Sequence, residues 1–213
     1  HQKGIEARRH INDARVRVAQ LLGTTSNHIV FTRGGTESNN AALVGIIERA
    51  RTMFQKQGIH ELPHVITSVI EHAAVLDTLT HYESQGYITL SRIPVDESGI
   101  VLLDAIKESL RPETVLVSIM YVNNEIGTIQ PIKTIAKTIR WYKKHHQQTL
   151  WPLFHVDAIQ AVNTLDVHVE RLGIDVMSIS GSKIYGPKSS GILFVRNHQW
   201  LDPMFFGGDQ EFG

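Results

Sequence analysis

The sequence predicts an α/β fold of three layers, a mostly parallel sheet with helices on both faces. Seven short β-rich runs recur along the 213 residues, and most are separated by a stretch whose apolar side chains return at helical spacing. Parallel neighbours need a crossover, and the crossover is right-handed, so this alternation wraps helices over both faces of one sheet. With 42% hydrophobic and 20% charged residues the chain can bury one substantial core, which favours a single domain over residues 1–213.

The first element is a helix. Ile5, Ile11, Ala14, Val18, Leu21 and Leu22 share helical spacing over the first 22 residues, and Gly23 supplies the stop. Strands are expected at 28–32, 65–68, 88–93, 115–120, 153–156, 176–180 and 191–195. Helices are expected at 39–55, 72–85, 102–110 and 132–146, with a short one around 169–172. No internal repeat, linker or low-complexity tract interrupts them.

Lysine plus arginine balance aspartate plus glutamate at 21 each, so no net field favours nucleic acid or an anionic membrane as partner. No apolar run approaches the roughly 20 residues of a membrane helix, and His1 to Glu6 lack signal-peptide character; a soluble, cytoplasmic chain is the expectation. The absence of cysteine excludes disulfides, thiolate metal sites and a cysteine nucleophile within these residues. There is no initiator methionine, and residues 207–213 end in a turn-like stretch, so a piece of a longer protein is expected.

In parallel sheets ligands bind beyond the carboxyl ends of strands, which directs attention to the polar residues there. Thr32-Arg33-Gly34-Gly35-Thr36-Glu37-Ser38-Asn39-Asn40 is a strand end, two glycines and then hydroxyl and amide residues opening a helix. It is either a plain turn with an N-cap or a phosphate cup of unpaired N–H groups with the Thr36 hydroxyl added. Asp157, after an apolar strand, is either a cap for the next helix or the partner of a pyridine nitrogen in a cofactor ring, with Gln160 within reach of the ring's phenolic oxygen. In Ser180-Gly181-Ser182-Lys183, the lysine is either a solvated loop residue or an amine held to form an imine with an aldehyde cofactor; Ser180 and Ser182 would close the phosphate cup. Gly181-x4-Gly186 resembles half a P-loop, but Pro187 stands where the phosphate-binding lysine belongs, which rejects a nucleotide. Glu71-His72 at a helix start and Asn123-Asn124-Glu125 after a strand read as surface and turn, or as a ring-stacking histidine and an amide facing the ring oxygen or substrate. The other histidines, His145-His146 included, lack metal-ligand spacing, and no metal site is expected.

Taken in order, Phe31-Thr32-x-Gly34-Gly35-Thr36-Glu37-Ser38-Asn39-Asn40, Glu71-His72, Val122-Asn123-Asn124-Glu125-Ile126-Gly127, His155-Val156-Asp157-Ala158-x-Gln160 and Ser180-Gly181-x-Lys183-Ile184-Tyr185-Gly186-Pro187-Lys188 resemble the class V aminotransferase group, and within it the cysteine desulfurases of iron–sulfur cluster assembly and tRNA thiolation. The resemblance covers almost the whole chain. It implies the large cofactor-binding domain of a fold type I transferase dependent on pyridoxal 5'-phosphate (PLP), acting as a homodimer when full-length. By resemblance Lys183 is the imine-forming lysine and Asp157 the partner of the ring nitrogen. His72 stacks on the ring, Asn124 and Gln160 set the phenolic oxygen, and Gly35, Thr36, Ser180 and Ser182 hold the phosphate.

The implied reaction removes sulfur from L-cysteine, giving L-alanine and a persulfide on a mobile cysteine, collected by a sulfur-acceptor or scaffold protein. The departures concern both ends of that chemistry. The family's histidine before the lysine is Ser182 here, a shorter donor. Near the end an extra Asp209 appears, and Phe212 stands in place of arginine. The family's initial strand segment, small C-terminal domain and persulfide-forming loop are not among these residues, so the chain is expected to be catalytically incomplete. A selenocysteine lyase or other class V enzyme, and a PLP-binding chain that turns nothing over, are the alternatives.

Overall fold

A computed structural model describes residues 1–208 and 211; the departures at Asp209 and Phe212 lie outside the described residues. Its elements are α1 (Gln2–Leu22), β1 (Ile29–Thr32), α2 (Gly35–Lys56), β2 (His64–Ser68), α3 (Ala73–Ser84), β3 (Thr89–Ile93), α4 (Leu103–Ser109), β4 (Thr114–Met120), α5 (Ile132–His145), β5 (Leu153–Asp157), α6 (Val169–Leu172), β6 (Val176–Ser180) and β7 (Gly191–Val195). The seven expected strands and six expected helices are all present. The largest boundary difference is at α2, which begins at Gly35 rather than Asn39. Glycine weighs against helix in an interior turn, but in the first turn the N–H groups are unpaired anyway and the backbone accepts it.

The strands form one sheet in the order β1-β7-β6-β5-β4-β2-β3. β2, β3, β4, β5 and β6 pair in parallel, while β7 runs antiparallel to both β6 and β1. Six strands therefore point one way and only β7 points back. The inner strands β2, β4, β5 and β6 are buried along their whole length, which is why they appear in the sequence as continuous apolar or small-residue runs without alternation. Helices cover both faces. Leu43, Ile46, Ile47 and Phe54 of α2 pack with Val75 and Leu79 of α3 on one side. On the other, Leu22 of α1, Ile106 of α4, Ile135 and Ile139 of α5, and Leu172 of α6 form the second core.

α1 ends as expected at Gly23, left-handed at φ 66°, but its apolar spacing does not translate into burial. Only Ala19 and Leu22 are buried, and Ile5 is 71% exposed. Ile11, Val16, Leu21, Tyr185, Phe205 and Phe206 are exposed as well. That much uncovered apolar surface favours association. Sedimentation at increasing concentration is expected to show self-association; a sharp monomer throughout contradicts it.

Two buried histidines tie the strands together. His64 of β2 bonds Thr114 Oγ1 on one neighbour (2.9 Å) and Ser91 Oγ on the other (2.9 Å). His155 of β5 does the same to Ser118 Oγ of β4 and Ser178 Oγ of β6, both at 2.9 Å. Burial pushes them down to about 4 and about 3 respectively, so both are neutral in the folded chain. The unfolded chain protonates them near 6.5, and stability is therefore lost as pH falls below that value, by about 1.4 kcal/mol per pH unit for each histidine. Urea unfolding between pH 7 and 5 is expected to show a shallower pH slope for His155→Asn than for the parent chain; equal slopes contradict the assignment.

Candidate active site

The carboxyl ends of the six co-directional strands stand along one edge of the sheet. β2 passes through α3 to β3 on one side, whereas β4 passes through α5 to β5 on the other side and the opposite face. The chain thus departs in opposite directions from adjacent strands, and such a switch point opens a crevice. A cavity of about 660 Å³ lies there. Gly35, Thr36, His72, Asn124, Asp157, Gln160, Ser180, Ser182 and Lys183 all line it, so the nine residues singled out in the sequence, drawn from five separate segments, meet at one place.

The N-terminus of α2 forms one wall. Gly34 precedes it at φ 153°, a region that disfavours any side chain, and no side chain caps the helix. A Cβ on Gly35 would stand 2.2 Å from Ile159 Cδ1, so glycine there lets α2 approach the turn after β5. The free N–H groups and the positive end of a 22-residue helix face the cavity with Thr36. Beside it, with Ser180 Cβ 3.5 Å from where a Cβ on Gly35 would stand, Ser180 Oγ and Ser182 Oγ lie 3.0 Å apart. The loop after β6 closes on Gly181, whose N–H donates to Ser190 O (2.8 Å) and whose carbonyl accepts from Gly186 N–H (2.9 Å). This closure holds Lys183 in the short turn Gly181–Lys183 with its side chain exposed toward the cavity.

Asp157 forms the floor and is 4% exposed. Its Oδ2 accepts from Asn39 Nδ2 (2.7 Å) and its Oδ1 from the Ile159 N–H (3.0 Å). Burial pushes this carboxyl above the usual carboxylate range, with the two donors and the His72 ring pulling the other way. No lysine or arginine bonds it among the described residues. His72 caps α3, its Nδ1 accepting the Ala74 N–H at 3.0 Å, which leaves the Nε2 edge of the ring for the cavity. In the loop after β4, both sequence readings are realised by neighbours. Asn123 makes the turn, accepting from the N–H groups of Glu125 and Ile126 and donating to Ile70 O, whereas Asn124 faces the cavity.

Several contributors carried no assigned role in the sequence. Asn39 belongs to the glycine-turn motif, but its bond to Asp157 joins residues 118 apart and is legible only in the fold. Arg33, Ile159, Met204 and Phe205 also line the cavity, without a motif to mark them. Glu71 is buried just behind the wall.

A seven-stranded sheet with a single antiparallel strand and a crevice at its switch point, lined by a lysine and a buried aspartate, is the architecture of the fold type I transferases. The family model for class-V aminotransferases matches residues 1–212, and the chain belongs to that family. It is 41% identical over 211 residues to a protein of Dictyoglomus turgidum named "Cysteine desulfurase IscS", covering 99% of this chain and 49% of that one. Two solved structures superpose over 100% of the chain: one described as "SspA in complex with cysteine" (TM-score 0.88, 38% identity, 57% of that chain) and a "NIFS-like protein" (TM-score 0.87, 37% identity, 54% of that chain). The fold expected from the resemblance is the fold found. The chain spans about half the length of the curated relatives it matches.

Removing the amide that supports Asp157 tests this architecture. Asn39→Ala leaves Oδ2 without its side-chain donor and is expected to cost about 1–3 kcal/mol in urea unfolding at neutral pH, the scale of leaving a buried acceptor unsatisfied. An unchanged midpoint contradicts the role given to Asn39.

Proposed function

We propose that residues 1–213 are the PLP-binding large domain of a cysteine desulfurase. The observation that carries this is the convergence on one cavity of an uncapped helix N-terminus flanked by hydroxyls, a lysine, and a buried aspartate to which no lysine or arginine bonds among the described residues. Each matches one part of PLP. Gly35, Thr36, Ser180 and Ser182 would hold the phosphate through N–H and O–H donors. Lys183 Nζ would hold the aldehyde carbon covalently. Asp157 would take the protonated ring nitrogen, gaining the positive partner that the described residues do not give it. His72 would lie over the ring, and Asn124 and Gln160 would donate to its phenolic oxygen.

When bound, PLP supplies an electron sink that stabilises negative charge at the substrate α-carbon. The chain's own residues do the rest. Asp157 would keep a proton on the ring nitrogen, His72 and the cavity walls would shield the ring face from water, and the Lys183 amine would move the substrate α-proton. Accepting the sulfur requires a thiolate, and these 213 residues contain no cysteine. The sulfur-accepting step therefore belongs to residues or a partner beyond them. On this reading L-cysteine is the substrate, the whole enzyme is a cytoplasmic homodimer, and an acceptor or scaffold protein carries the sulfur to cluster assembly or tRNA thiolation. The names of the relatives support the substrate class.

The chain mixed with PLP, reduced with borohydride and digested is expected to yield one modified peptide, on Lys183, and none in Lys183→Ala. Scattered labelling of surface lysines, or labelling unchanged in the variant, overturns the assignment.

A further inference from the structure

Glu71 is a buried carboxyl beside the site that the proposed chemistry leaves without a task. It is wedged between the carboxyl ends of β2 and β4 and is 6% exposed. Its Oε1 accepts from Ser68 Oγ at 2.5 Å and from the Met120 N–H at 2.9 Å. Its Oε2 is buried with no hydrogen-bond partner. An ionised carboxylate with one oxygen bare in the protein interior is among the costliest arrangements of polar atoms; the neutral acid in the same place costs far less. The surroundings do not offset the charge. From β2 comes only the Ser68 hydroxyl and from β4 only a backbone N–H. From the loop after β4, the Asn123 amide spends its donors on Ile70 O and Met120 Sδ. His72, next in the chain, spends its Nδ1 on capping α3. From β5 the charged group whose field reaches Glu71 is Asp157, a second carboxylate, which opposes ionisation.

We propose that Glu71 carries a proton on Oε2 at neutral pH and is a positioning residue, leaving Asp157 as the one carboxylate that bears charge at the floor of the cavity. Burial, the Asp157 field adding to it, raises Glu71 to about 8 against the two donors on Oε1. Two carboxylates in one low-dielectric region do not ionise together at neutral pH, and the fold decides which one does. Asp157 has Asn39 and a backbone N–H on separate oxygens and the His72 field in its favour, whereas both donors to Glu71 fall on a single oxygen. Above that pH Glu71 gains charge, and its field then strengthens the hold of Asp157 on any proton or cation in the cavity. The consequence for a ring nitrogen rests on the function proposed above; the protonation of Glu71 does not.

The test is infrared spectroscopy of the 213-residue chain without cofactor, titrated from pH 5 to 9, with Glu71→Gln as the reference for the difference spectrum. A protonated-carboxyl C=O stretch that is absent in Glu71→Gln and disappears with a midpoint near 8 is the expected result. Ser68→Ala keeps Glu71 in place and removes one donor to Oε1, so its midpoint is expected to move upward. The raised acid also ties stability to pH: the folded chain holds this proton above the unfolded value of about 4.5, so the contribution is present in acid and lost as pH rises toward 8. Glu71→Gln is accordingly expected to gain melting temperature relative to the parent as pH rises through that window. Failure of Glu71→Gln to fold leaves the parent and Ser68→Ala titrations to decide. No protonated-carboxyl stretch in the parent at pH 6, or an equal midpoint in Ser68→Ala, overturns the proposal. If the infrared results hold while no PLP adduct forms on Lys183, the failure lies with the proposed function alone.

Discussion

A carboxylate buried at the end of an inner strand has to be matched by its surroundings, and Asp157 is the constraint around which the site is arranged. Leaving a charge there uncompensated costs several kcal/mol. The fold meets part of that cost with Asn39, carried on the second turn of α2, and with the backbone at Ile159. Neither is a cation. The arrangement is therefore open to a positively charged group in the cavity, and it makes the position of α2 a condition of the site. α2 can lie that close because Gly34 and Gly35 allow the chain to turn directly from β1 into the helix against the Ile159 side chain. The same turn aims the helix N-terminus at the cavity, so one local feature of the sequence supplies both an anion-binding end and the amide that supports the anion on the floor.

The sheet fixes everything else relative to that floor. Six strands ending on one edge bring loops from distant parts of the chain together, and because the chain leaves β2 and β4 toward opposite sides, a crevice remains at that edge. His64 and His155 each bond to both neighbouring strands through hydroxyls. They hold five strands, β3, β2, β4, β5 and β6, in lateral register using neutral imidazoles. Polar groups satisfied in this way cost little to bury and specify register more sharply than apolar contacts do. His155 lies two residues before Asp157 on the same strand, so the order of the core and the placement of the site are coupled.

Much of this was legible in the sequence because burial on both faces leaves a plain signature. Strands such as Thr114–Met120 lack polar alternation, and the helices between them show their period in Ile132, Ile135, Ala136 and Ile139. Candidate site residues were legible because they fall where strands end. The rest depended on contacts that only the fold creates. Asn39 and Asp157, or Glu71 and Met120, are far apart in the chain, and nothing in local spacing pairs them. α1 shows the opposite failure: its apolar spacing is real, but most of that stripe, Ile5 and Ile11 included, meets no partner in the described structure. Spacing reports the shape of an element, whereas burial depends on what lies beside it.

The central claim is that Asp157 faces a protonated ring nitrogen in this cavity, and nitrogen NMR of the chain loaded with ring-labelled PLP reads that proton directly. A ring-nitrogen shift in the pyridinium range at neutral pH, moving to that of neutral pyridine in Asp157→Ala, is the result the account predicts. A neutral-pyridine shift in the parent chain, or a shift indifferent to Asp157, would contradict it.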